Sequence, residues 1–165
     1  MINMGFTQGM QPIAGYNFGA KQFDRVKEVL RKTIILTTIT TSFGFLTGML
    51  IPKAVVSLFT TDSVLREMSA HALRITMAAF VFVGSQITIG NFFQCIGMAK
   101  KAIFLSLSRK LLFLVPFLII FPSFWGTDGV WWSLPASDTI SAAVAYIMII
   151  RQIRVLGKED YKILD

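Results

Sequence analysis

The sequence predicts an all-α integral membrane protein, and three observations lead to that fold class. Hydrophobic residues make up 54% of the 165 positions and charged residues only 15%, with a mean hydropathy of +0.64. A soluble domain carries about a quarter charged residues. The apolar residues form uncharged runs of about twenty, the length of a membrane-spanning helix. The basic residues lie in clusters between these runs, as they do in the loops of membrane proteins.

Taken in order, the chain divides into apolar runs and charged connectors. About four complete transmembrane helices plus the end of a fifth are expected, and Thr61-Asp62-Ser63 is expected to cap a helix. The predicted segments are the end of a transmembrane helix (1–20), a basic cytoplasmic connector (21–32), a transmembrane helix (33–59), an outer connector (60–74), transmembrane helices at 75–99, 102–122 and 129–150, and a cytoplasmic tail (151–165).

The distribution of basic residues predicts the orientation. Thirteen of the sixteen lysines and arginines lie in 21–32, 100–110 and 151–165, whereas Lys53, Arg66 and Arg74 lie in the alternate connectors. Because loops rich in lysine and arginine stay on the cytoplasmic side, the C-terminal tail is expected to be cytoplasmic and the N-terminus outside. The protein is expected to be multi-pass.

The chemistry-bearing residues predict no enzyme. One histidine (His71), one cysteine (Cys95) and no paired carboxylates within a span leave no catalytic set, no metal site and no cofactor-binding motif. The net charge of +7 comes from clusters between apolar runs, so anchoring at the membrane surface is preferred over nucleic-acid binding.

Six of the amide side chains within or at the ends of the predicted spans are candidate site residues. Polar groups in hydrocarbon are costly, so they face a partner helix or a wet cavity. Both roles, substrate-cavity lining and helix packing, stay open for these residues. They are Gln8, Gln11, Asn17, Gln86, Asn91 and Gln94.

Asp138 and Arg109 are charged residues that lie within predicted spans. Counted at 1.5 Å per residue from opposite faces, they differ in depth by ~8 Å, which a long arginine side chain bridges if the two helices face each other. One hypothesis is a titratable or cation-binding site, and the other is a structural ion pair.

Several stretches resemble one transporter family. They are Gln11 to Lys21 (QPIAGYNFGAK) with Arg25 after it, Phe92 to Gly97, Arg109 to Pro116, and Gly129 to Asp138. The first is similar to the second-half signature of the MATE (multidrug and toxin extrusion) family, and the others follow in that family's order. The resemblance covers nearly the whole chain and is closest to the MepA-like bacterial branch.

The resemblance implies the C-terminal lobe of a twelve-helix transporter, matched from the end of its eighth span onward, so the chain is expected to be a fragment. It implies a multidrug efflux antiporter in a bacterial inner membrane. The implied partners are small-molecule drugs or organic cations, a coupling Na⁺ or H⁺, the lipid bilayer and a missing N-terminal lobe.

One branch of the family carries a coupling carboxylate on its tenth span, but 75–99 has no acidic residue. The coupling acid is therefore expected in the first lobe. Two alternatives stay open: a lipid or oligosaccharide flippase of the same superfamily, and a truncated membrane protein with no transport of its own.

Overall fold

The computed structural model describes residues 1–156, which form helices and no β-strand. The predicted all-α fold class is confirmed, while Lys158 and Lys162 of the predicted tail lie outside the described residues. In chain order the elements are α1 (Ile2–Gly19), α2 (Phe23–Leu50), α3 (Pro52–Ser57), α4 (Ser63–Met77), α5 (Phe80–Cys95), α6 (Ala99–Leu107), a π-helical segment (Ser108–Leu114) and α7 (Val115–Val155).

Helix α2 has different ends from the predicted segments. It runs from Phe23 through the basic stretch into the apolar run, because no helix-breaking residue separates the two. It stops at Leu50, before the predicted limit of 59, since Pro52 follows and proline has no backbone N–H to continue the hydrogen-bond ladder. Pro52 instead occupies the first turn of α3, where that N–H is not needed.

Helix α4 covers most of the predicted outer connector (60–74), and helix α5 covers most of the span predicted at 75–99. Asp62 caps α4, because its Oδ1 accepts hydrogen bonds from Val64 N at 2.8 Å and Leu65 N at 3.2 Å, which confirms the predicted cap. The two helices bend by 49° between Met77 and Phe80. Met77 and Phe80 pack directly over Gly48 and Gly44 of α2, so packing against α2 accompanies the bend.

Helix α7 contains a chain reversal at Gly126, whose φ of 56° and ψ of −134° are not helical. A left-handed φ with this ψ is open essentially to glycine alone. Gly129 then lies so close to the Phe121 backbone that a side chain would clash with it. The two halves of α7 therefore fold back on one another, and the second half returns alongside the π-helical segment.

Two helical stretches are long and apolar enough to cross a membrane, Phe23–Leu50 and Ala99–Val155. If the bent pair α4–α5 forms one span, the number of candidate spans is three. The second stretch has 57 residues and reverses at Gly126. At 1.5 Å per residue it is about 85 Å long, against ~30 Å of hydrocarbon, so it has length for two crossings. The limits of the spans stay predictions.

The core lies where α1, α2 and α5 meet the last turns of α7. Its largest buried side chains include Phe92, Phe93, Met10 and Leu30. Between α2 and α5 the packing is closer and more polar: Thr37 and Thr88 hydroxyls hydrogen-bond at 3.1 Å in a fully buried position. This hydrogen bond fixes the register of the two helices.

The described basic clusters converge at one end of the bundle. Lys101 Nζ donates to Gln152 Oε1 at 2.7 Å, which joins the start of α6 to the end of α7. Leu156 at that end lines a shallow cavity together with Lys21, Arg25 and neighbouring residues. The other end carries the exposed ion pair between Lys53 and Glu67 at 2.6 Å.

Candidate functional site

A polar groove lies between α5, α6 and the π-helical segment. It encloses about 460 Å³. Three of the six amides singled out from the sequence line it, together with Arg109. The helical spacing places positions 86, 90 and 94 along one face of α5, with Asn91 beside them. The residues lining the polar groove are Gln86, Ile87, Gly90, Asn91, Gln94, Ala99, Ala102, Ile103, Leu105, Ser106, Arg109 and Lys110.

The π-helical segment forms the opposite wall and carries Arg109. Here Val115 N–H donates to Lys110 O, five residues back, so the turn is wider than in an α-helix. Pro116 follows at once and has no N–H to give to the carbonyl four residues earlier. Sequence periodicity did not indicate the π-helix, whose wider turn changes the direction in which Arg109 projects.

Arg109 and Asp138 are brought together. Arg109 Nε donates to Asp138 Oδ1 at 2.8 Å, with 30% and 14% of the two side chains exposed. The reversal at Gly126 brings the second half of α7 beside the π-helical segment and thereby sets this pair. Asp138 pairs with Arg109 but is not itself a lining residue of the polar groove.

Gln86 is buried at the base of the polar groove with 5% of its surface exposed. Its Nε2 donates to Ser141 Oγ on α7, whereas its Oε1 has no hydrogen-bond partner within residues 1–156. A buried acceptor without a partner is costly.

Ser141 was missed from the sequence. It continues a buried series with Ser133 and Ser137, four residues apart on one face of α7. That spacing is typical of helix packing in membranes, and it could have identified Ser141 from the sequence.

The remaining amides divide between helix contacts and solvent or lipid. Gln11 Nε2 donates to Asn91 Oδ1 at 3.2 Å and so ties α1 to the polar groove. Asn17 is buried and donates to Ile13 O at 2.7 Å in its own helix. Gln8 is exposed on α1, and neither Gln8 nor Asn17 is among the lining residues of the polar groove.

The charge of the polar groove is positive. Arg109 and Lys110 line it, and no carboxylate is among its lining residues in the described part of the chain. Amide groups and apolar carbon therefore make up most of the surface offered to a ligand.

Comparisons with known proteins agree on one family. The MatE family model matches residues 1–120. The multidrug export protein MepA of Staphylococcus aureus strain N315 is 28% identical over 149 residues, which cover 90% of this chain and 33% of that protein. MepA of Staphylococcus haemolyticus is 24% identical over 149 residues. The chain spans about a third of the length of the curated relatives it matches.

Solved structures extend the match over nearly the whole fold. The MATE multidrug transporter DinF-BH, solved in complex with a dye, superposes with a TM-score of 0.87 and 36% identity over 95% of this chain and 35% of its own. The inward-facing conformation of a multidrug resistance MATE family transporter of the MOP superfamily gives a TM-score of 0.87 at 22% identity, covering 96% of this chain and 37% of its own. The chain is a helical membrane protein that belongs to the MatE family of multidrug and toxin extrusion transporters.

Proposed function

We propose that this chain forms the C-terminal part of a secondary active multidrug efflux antiporter, which exports organic, often cationic compounds in exchange for Na⁺ or H⁺. The observation that carries the proposal is the polar groove, where Gln86, Asn91, Gln94 and Arg109 converge. A few polar groups in a largely apolar cavity suit binding of bulky amphipathic molecules. The multidrug transporters among the relatives support efflux over lipid or oligosaccharide flipping.

The charge of the polar groove indicates which contacts this chain and the N-terminal lobe would each contribute. Its lining residues carry positive charge only, and Asp138 is already paired with Arg109. The chain would therefore contribute amide and apolar contacts, while the carboxylate that binds the coupling ion and attracts the cation belongs to the N-terminal lobe. Binding between two lobes also suits alternating access, in which one half moves against the other around the site.

The proposed location is a bacterial inner membrane with the C-terminus in the cytoplasm. The support is the convergence of the described basic residues at one end of the bundle, joined by the hydrogen bond between Lys101 and Gln152. Excess lysine and arginine at one face favours the cytoplasmic side.

A chimaeric transporter tests the proposal. We expect that S. aureus MepA with its matched third replaced by this chain exports a fluorescent organic cation such as ethidium, in cells lacking their own efflux pumps. Export should require a Na⁺ or H⁺ gradient, because the proposed antiporter takes its energy from that gradient. Residues 1–165 expressed alone should export nothing above the empty vector, since alternating access needs two halves.

The controls in this experiment are intact MepA and the level of each protein in the membrane. A chimaera that reaches the membrane at the level of MepA but exports no cation would contradict the proposal. Export by residues 1–165 alone would contradict the requirement for a second lobe.

A further inference from the structure

A second cavity, here called the aromatic cavity, lies at the reversal between the two halves of α7. It encloses about 390 Å³ and is lined by Phe121, Trp125, Asp128 and Trp132. None of these residues lines the polar groove. The positive φ of Gly126 reverses the backbone at this point, so that residues after the turn return to those before it.

The walls of the aromatic cavity match an organic cation. Phe121 and Trp125 meet edge to face, with ring centroids 5.4 Å apart and planes at 87°, and together form a corner. Phe117 stacks on Phe121 at 4.9 Å and supports it from within its helix. The faces of aromatic rings attract cations, most strongly for tryptophan, and recognition of quaternary ammonium groups uses such rings. We propose that the aromatic cavity binds an organic ammonium ion between these rings and the Asp128 carboxylate.

Access and charge fit this ligand. The side chains of Trp125 and Asp128 are 62% and 53% exposed, so a molecule can reach them. His71 Nε2 lies 3.4 Å from Asp128 Oδ1. A carboxylate has about four lone-pair sites, so contact with His71 leaves capacity for a cation.

Anchoring in the headgroup region is the alternative explanation for exposed tryptophans, since aromatic residues form belts at membrane interfaces. It accounts for the rings but requires no acidic residue among them. The two explanations differ in charge selectivity, because an interfacial anchor has no preference for a cation over a neutral molecule of the same shape. The proposed cation site lies outside the polar groove and does not depend on transport.

The experiment is a titration of the full 165-residue chain in phospholipid nanodiscs. The three tryptophans of the chain are Trp125, Trp131 and Trp132, so intrinsic fluorescence reports directly on this region. Phenyltrimethylammonium is the probe, and tert-butylbenzene, its neutral counterpart of the same shape, is the comparison. We expect a saturable fluorescence change with the cation and none with the neutral compound.

Two variants locate the site. Asp128→Asn should weaken cation binding about threefold to fivefold, as for an exposed ion pair, and Trp125→Leu about tenfold, as for loss of a cation–π partner. Phe43→Leu is the matched control, because Phe43 on α2 is 74% exposed and does not line the aromatic cavity. Trp131→Phe should also keep wild-type affinity. Trp125→Phe, which keeps a ring, should recover part of the binding lost in Trp125→Leu.

Equal responses to the cation and the neutral compound would overturn the proposal. So would wild-type affinity in both Asp128→Asn and Trp125→Leu when circular dichroism shows the normal helix content. Since export does not enter this measurement, failure of the cation site is distinguishable from failure of the efflux proposal.

Discussion

Replacing Asp138 by Asn should lower the amount of folded protein in the membrane by about tenfold or more. The substitution removes the carboxylate that Arg109 contacts at 2.8 Å and leaves the guanidinium charge without a partner. An unpaired arginine near the centre of a membrane helix costs about 3 kcal/mol. Replacing Arg109 by Gln in the same protein removes the stranded charge and should restore part of the lost abundance.

The measurement scores abundance and export separately in the chimaeric transporter. A structural pair predicts low abundance for Asp138→Asn and partial recovery in the double variant. A titratable or cation-binding role for Asp138 predicts normal abundance with loss of export. Normal abundance together with normal export in Asp138→Asn would contradict both hypotheses. We expect the structural outcome, because Asp138 contacts Arg109 at 2.8 Å and is not among the lining residues of the polar groove.

Replacing Gly84 by Val should separate α2 from α5 and reduce folded protein strongly. Even a Cβ at this position would lie 2.6 Å from Thr37 O and 2.9 Å from Thr41 Oγ1. Those atoms belong to a helix backbone and to a β-branched side chain, neither of which can move aside cheaply. The shift would also break the hydrogen bond from Thr41 Oγ1 to Val81 O at 3.1 Å. Overpacking of this kind typically costs about 1–3 kcal/mol.

Gly90→Val is the matched control in the same helix, since nothing lies within 4 Å of a Cβ placed there. Both variants carry the same change in helix propensity, so the difference between them reports the contact with α2. Thermal denaturation followed by size-exclusion chromatography gives the comparison. Similar midpoints for Gly84→Val and Gly90→Val would show that the close approach of α2 and α5 does not matter.

The fold class was predictable from the sequence because the features that indicate it are local to each segment. An uncharged run of about twenty residues is sufficient to indicate a membrane helix, and Pro52 and Asp62 mark helix ends by their own chemistry. The bend between Met77 and Phe80 was not predictable in this way. The two residues at the bend are alanines, Ala78 and Ala79, and neither is a helix breaker. The bend accompanies packing against α2.

Four lining residues of the polar groove were singled out from the sequence, but their arrangement was not predictable; they are Gln86, Asn91, Gln94 and Arg109. Counting residues along the predicted spans placed Arg109 and Asp138 at depths that an arginine side chain can bridge. Their contact, however, depends on the direction in which the π-helical segment projects Arg109 and on the reversal at Gly126. Likewise, the amides of α5 were recognisable as polar residues in a span, whereas the pairing of Gln86 with Ser141 depends on which face of α7 turns toward α5. Long-range geometry of this kind has no local signature.

Protection of a single cysteine in the polar groove tests the central claim most directly. In the chimaera with all other cysteines, including Cys95, replaced by serine, Gln94→Cys places a thiol at an exposed position that lines the polar groove. Gln8→Cys, exposed on α1 and outside it, is the control. We predict that saturating organic cation slows maleimide labelling at position 94 and leaves labelling at position 8 unchanged. Equal labelling of position 94 with and without the cation, in a chimaera that exports it, would contradict the assignment of the polar groove as the substrate-binding surface.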